Sequence, residues 1–160
     1  MTTIIDGSAG ITFPNGSNPQ AAPSKVVQVV NVATTIATET TSTSYVDTGV
    51  SASITPLFST SKILVIVDMT GVYKNTDNVY GLMQLVRNST ALIKMEGAYG
   101  YNNSTAENNV GATSVNYLDA PATTSSITYK TQISSNSTSG KVGVGRNGAT
   151  HTITLMEIAQ

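Results

Sequence analysis

Apolar and polar residues alternate with a period of two along Tyr80-Gly81-Leu82-Met83-Gln84-Leu85-Val86 and along His151-Thr152-Ile153-Thr154-Leu155-Met156-Glu157-Ile158. In extended backbone, residues two apart share a face, so each stretch predicts a strand buried on one side. Ile63-Leu64-Val65-Ile66-Val67 is apolar at every position. That pattern predicts a central strand, covered by an opposing sheet on one side and a second subunit on the other. Ile63, Val65 and Val67 are therefore candidate subunit-interface residues.

Short runs rich in Val, Ile, Thr and Tyr recur from Lys25 onward, punctuated by Gly, Asn or Pro. They predict strands at 26–33, 44–48, 50–55, 62–73, 80–87, 91–96, 113–118, 126–134, 141–145 and 150–158. Arg146-Asn147-Gly148-Ala149 predicts a hairpin turn between the last two, because Asn-Gly accepts the φ > 0 that such turns require. Segments 102–109 and 134–139 read as polar loops projecting into solvent. No window carries the three- and four-residue apolar spacing of a helix, and the Thr-rich stretch 34–43 disfavours one. The expected fold is all-β: an antiparallel sandwich of jelly-roll type, with an extended N-terminal arm.

That arm is residues 1–24, where Gly7, Gly10 and Gly16 alternate with Pro14, Pro19 and Pro23. Ile4, Ile5, Ile11 and Phe13 are its only bulky apolar groups. They are candidate anchors for an extended strand that borrows hydrogen bonds from another protein. Ile11-Thr12-Phe13 reads as a short lead-in to a tight turn at Asn15-Gly16. Residues 25–160 form the β-domain.

Charge sharpens the picture. Charged residues are 11% of the chain and the formal net charge is −1, against roughly a quarter charged in an average soluble domain. A surface of Ser, Thr and Asn avoids the cost of desolvating charges when copies meet, so the composition points to assembly. The few Lys and Arg are scattered singly, which argues against nucleic acid as a partner. The N-terminus has no basic and apolar leader, and no run is long enough to cross a bilayer, so neither secretion by a cleaved signal nor a membrane is expected. There is no cysteine, hence no disulfide framework and no thiolate chemistry.

Catalytic chemistry finds no visible home. His151 is the single histidine, and any triad or histidine metal site would rest on it alone; it reads as structural. The carboxylates are dispersed, with no spacing that fixes a glycosidase-like dyad. Asp68, interrupting an apolar strand, reads as a hydrogen-bonding or ion-pairing group. Gly140-Lys141-Val142-Gly143-Val144-Gly145 lacks the Gly-Lys-Ser/Thr ending and following helix of a phosphate loop, and reads as a tightly packed strand. Tyr73, Tyr80, Tyr99, Tyr101 and Tyr117 offer flat rings with polar tips, suited to core packing or to a glycan- or subunit-binding surface. Tyr99, Tyr101, Asn102 and Asn103 form the candidate host-contact loop. No catalytic residue, metal or cofactor is expected, and the chain is expected not to be an enzyme.

Three segments carry a resemblance: Gly10-Ile11-Thr12-Phe13-Pro14-Asn15-Gly16-Ser17, Ser61-Lys62-Ile63-Leu64-Val65 and Ile153-Thr154-Leu155-Met156-Glu157-Ile158. With the Ser/Thr-rich body between them, the chain resembles tail-fibre-like and head-surface proteins of tailed bacteriophages. The first segment departs from the usual form, with Asn15 where Asp is common. The resemblance implies a virion structural protein, a homotrimer of jelly-roll-like domains at the virion surface, assembled in the host cytoplasm. Its implied partners are itself and other virion proteins such as the major capsid protein. A head decoration or cement protein is the leading expectation; a short tail fibre or receptor-binding tip touching host surface glycan is the alternative.

Overall fold

The computed structural model describes residues 25–103 and 108–160, together with the backbone of two short N-terminal strands, β1 (Ile4–Asp6) and β2 (Gly10–Thr12). These two pair antiparallel, with Ile5 opposite Ile11. The side chains of Ile4, Ile5 and Ile11, as well as Phe13 and the Asn15-Gly16 turn, lie outside the described residues.

The body is an all-β sandwich. β3 (Val26–Thr34), β5 (Val46–Ile54), β6 (Lys62–Lys74), β7 (Gly81–Arg87), β8 (Thr90–Tyr99), β9 (Asn108–Asp119), β10 (Ile127–Ser135) and β12 (His151–Ile158) are its long strands. The smaller sheet runs β5-β10-β7-β8 and the larger β3-β12-β6-β9, all neighbours antiparallel. β4 (Thr38–Thr40) and β11 (Val142–Val144) extend the larger sheet beside the far half of β6. The long strands alternate as the sequence pattern requires: His151, Ile153, Leu155 and Glu157 are buried, and the residues between them are half-buried.

The core lies between the sheets. Val50, Ile63, Val65, Val67, Met69, Leu85, Tyr129, Ile133, Ile153 and Leu155 are fully buried within it. β6 is central as expected, paired on both edges. Ile63, Val65 and Val67, however, are the inward residues of that strand at 0% exposure, so they are sandwich core and offer no surface to a subunit. Leu64 and Ile66, between them, face outward.

Three local expectations change. The two strands at 44–48 and 50–55 are one, because Gly49 adopts φ +85 and absorbs a bulge opposite Lys130–Gln132 without ending the pairing. β11 and β12 do not form a hairpin; both lie along β6, where Gly143 sits opposite Tyr73 and Thr152 opposite Asp68. Arg146–Gly148 is therefore a turn-like excursion within one interrupted strand, with Asn147 and Gly148 both at positive φ. Finally, Ser134 and Ser135 complete β10 and are buried rather than projecting.

Candidate functional site

The end of the sandwich formed by segments 75–80, 100–103 and 136–141 is a cluster of interlocked amides around two tyrosines. Asn78, at φ 55, donates its backbone N–H to the Asn102 carbonyl (2.9 Å). Its own carbonyl accepts from the Asn136 side-chain amide (3.4 Å), while Asn136 Oδ1 accepts the Tyr80 N–H (2.8 Å). Lys74, fully buried, donates Nζ to the Thr76 carbonyl (2.6 Å) and to Asn102 Oδ1. Tyr80 and Tyr101 meet edge to face, 6.1 Å between centroids at 73°, a favoured aromatic geometry. Tyr101 remains 57% exposed.

This places the four expected host-contact residues differently. Tyr101 and Asn103 are exposed at the tip, and Asn102 is half-buried with its side-chain Oδ1 taken by Lys74. Tyr99 is a correction: it is 3% exposed, the inward residue at the end of β8. Its ring lies over Gly81, where an added Cβ would come within 1.9 Å of it. Only glycine leaves that space, and burial raises the phenol pKa. Of the other tyrosines, Tyr73 is buried and Tyr117 packs against the core, so Tyr80 is the one that joins Tyr101. Asn136 completes the tip from far along the chain; no local spacing links it to Tyr80.

A second feature is an open groove of about 570 Å³ at the strand interruption, lined by Glu39, Tyr73, Arg146, Asn147 and the glycines around them. Tyr73 donates its hydroxyl to Glu39, which also pairs with Lys141 at 2.7 Å. The Arg146 guanidinium sits 4.9 Å above the Tyr73 ring, and Gly143 presses close to the same tyrosine. The groove therefore presents an occupied ring and a charged rim.

Behind it lies His151, buried. Nδ1 accepts the Thr70 N–H (3.0 Å), so Nε2 carries the proton and donates it to the Ile36 carbonyl (3.0 Å). Burial lowers its pKa, keeping the ring neutral. Neither nitrogen can bind a proton or metal without giving up a backbone partner, and the ring's work here is to tie the interruption to β6 and to segment 34–37. Asp68 accepts from Ser114 and, at 3.5 Å, from Thr152, the hydrogen-bonding role its position suggests. Among the described residues, no group of three or more His, Asp or Glu is placed to hold a metal.

At the opposite end, where Lys25 joins β3, Glu157 is buried without a cationic partner among the described hydrogen bonds. Its carboxylate accepts the Leu57 and Phe58 amides (2.8 and 3.2 Å) and Gln28 Nε2 (2.6 Å). Burial alone pushes this carboxyl up, but these donors outweigh it and hold the pKa below the usual value. The same bonds fix the loop that displays Leu57 and Phe58, 60% and 52% exposed.

No family model matches the chain, and no curated protein matches it in sequence. Among solved structures, the crystal structure of the infectious bursal disease virus VP2 subviral particle is similar with a TM-score of 0.44 at 14% identity. The match covers 83% of this chain and 38% of that one. The chain thus spans well under half the length of that protein.

Proposed function

We propose that this chain is a non-enzymatic structural protein of a tailed-bacteriophage particle, a homotrimeric decoration or cement protein held on the head by residues 1–24. The observation that carries the reading is the three-segment resemblance in the sequence. The strand order supports it: with the eight long strands numbered in chain order, the sheets run 1-8-3-6 and 2-7-4-5, the interleaving of two Greek keys that we read as a jelly roll. The two ends of the sandwich also divide the work. The arm joins at Lys25, at the same end as Leu57 and Phe58, and the polar tip lies at the far end. No metal, cofactor, nucleic acid or membrane enters this reading.

The test is recovery on particles. Full-length protein should sediment with expanded heads that lack it, as trimers. Protein without residues 1–24 should stay folded by circular dichroism and fall to background in that sedimentation. Full-length protein that ignores such heads would overturn the reading. The Tyr80–Tyr101 pair, with Tyr101 exposed and Tyr80 half-buried behind it, favours a second reading, a receptor-binding tip in which Tyr101 stacks on host surface glycan. In that case Tyr101→Ala should abolish binding to host cells with the fold unchanged.

A further inference from the structure

The outer face of the larger sheet carries an apolar row that crosses all four strands. Val29 lies opposite Met156, Met156 opposite Leu64, and Leu64 opposite Leu118. Ile66 follows in the next row, between Thr154 and Asn116. Val29, Leu118 and Ile66 are 53%, 48% and 36% exposed. Inward alternation explains the buried half of each strand, but it places no apolar demand on the outward half.

We propose that this face is where copies of the chain associate, an inference that rests on the reading of the chain as a self-assembling structural protein. Two arguments select a second copy as the occupant. The first is area: four strands at about 4.8 Å spacing and about eight residues at about 3.3 Å give a face of about 500 Å². Two such faces bury about 1,000 Å², the lower bound for a specific interface, and three of them gathered around a three-fold axis bury about 1,500 Å² in all. The second is charge. On the outward positions of β3, β12, β6 and β9 the charged residues are Lys62 and Asp68, one of each sign. A face with no net charge meets its own copy without like-charge repulsion, and its Thr and Asn side chains cost less to desolvate than charged groups do.

The experiment is light scattering across a range of concentrations, with three variants. Leu64→Lys puts a charge in the centre of the row, and the assembly seen for the parent chain should fall to the mass of a single chain. Asn116→Arg alters an exposed side chain at the flank of the face and removes no core contact, so it reports even if Leu64→Lys fails to fold; it should weaken assembly at least tenfold. Gln84→Lys, on the outer face of the other sheet, should leave the parent mass unchanged. A parent chain that is monomeric at about 100 µM overturns the proposal, and so does Asn116→Arg that assembles as tightly as the parent. An assembly of other than three chains that Leu64→Lys dissolves would support the face while overturning the trimer, and particle recovery tests the virion reading separately.

Discussion

The outer faces of the two sheets are built on the same alternation and end in opposite chemistry. On the smaller sheet, Asp47 accepts from Lys130 (2.8 Å) and Gln132 (2.7 Å), Gln84 donates to Gln132 (2.8 Å), and Ser53 pairs with Thr128 (2.7 Å). The hydrogen bonds of Lys130 and then Gln132 hold the Asp47 carboxyl below its usual pKa. Polar pairs dominate that face, and the apolar outward residues of β7, Leu82 and Val86, are half-buried and buried there. On the larger sheet the corresponding positions hold Val29, Met156, Leu64 and Leu118, which gain nothing from solvent. Strand periodicity specifies only which side faces the core; what the other side carries reflects what it must meet.

The largest effect should come from β12, where inward and outward residues are neighbours. Leu155→Ala removes a fully buried side chain and should cost about 2–5 kcal/mol in urea unfolding. Met156→Ala, one residue on and outward, should cost under about 1 kcal/mol in dissociated protein. Equal losses would break the distinction between the two sides of the strand.

Next in size is the link between the sheets at the arm end. Asp119, buried, accepts from Arg87 at 2.7 Å and from the buried Tyr129 hydroxyl at 2.6 Å. Asp119→Ala leaves the phenol without its partner and should cost about 2 kcal/mol by the same measurement. A change under about 0.5 kcal/mol would mean that water replaces the carboxylate freely.

A smaller, pH-dependent effect belongs to the strand interruption. The folded pKa of His151 lies below 6.5, so between that value and the folded pKa the unfolded chain binds more protons. Stability should be complete above pH 6.5 and decline as pH falls below it. Melting temperatures from pH 8 to 5 should show the decline, and His151→Gln should remove its His-dependent part. The Glu157 contribution has its own window: its lowered folded pKa leaves it intact above 4.5 and lost as pH falls further.

The smallest effect should be on the finished polar face. Lys130→Met breaks an ion pair whose Asp47 side is 52% exposed, and should change stability by under about 1 kcal/mol. A larger loss would show that this face also depends on a partner.

The legible part of the molecule is the part set by local periodicity. The alternation in 151–158, the apolar run at 63–67 and the absence of helical spacing determine an all-β sandwich with β6 at its centre. They also leave His151 and the dispersed carboxylates without a partner in sequence, and among the described residues His151 hydrogen-bonds to backbone groups of Thr70 and Ile36. Tertiary structure decided what lies across the chain. It turned Ile63, Val65 and Val67 inward, because on a doubly apolar strand periodicity names two faces without saying which meets the other sheet. Tyr99 went beneath the tip because Gly81, eighteen positions earlier, leaves room for its ring. The Asn147–Gly148 turn became an excursion instead of a hairpin because β6 is long enough to pair with β11 and β12 in succession. The apolar row on the larger sheet exists only in register: its four residues are 54 to 127 positions from their neighbours in the row, and only strand pairing brings them abreast.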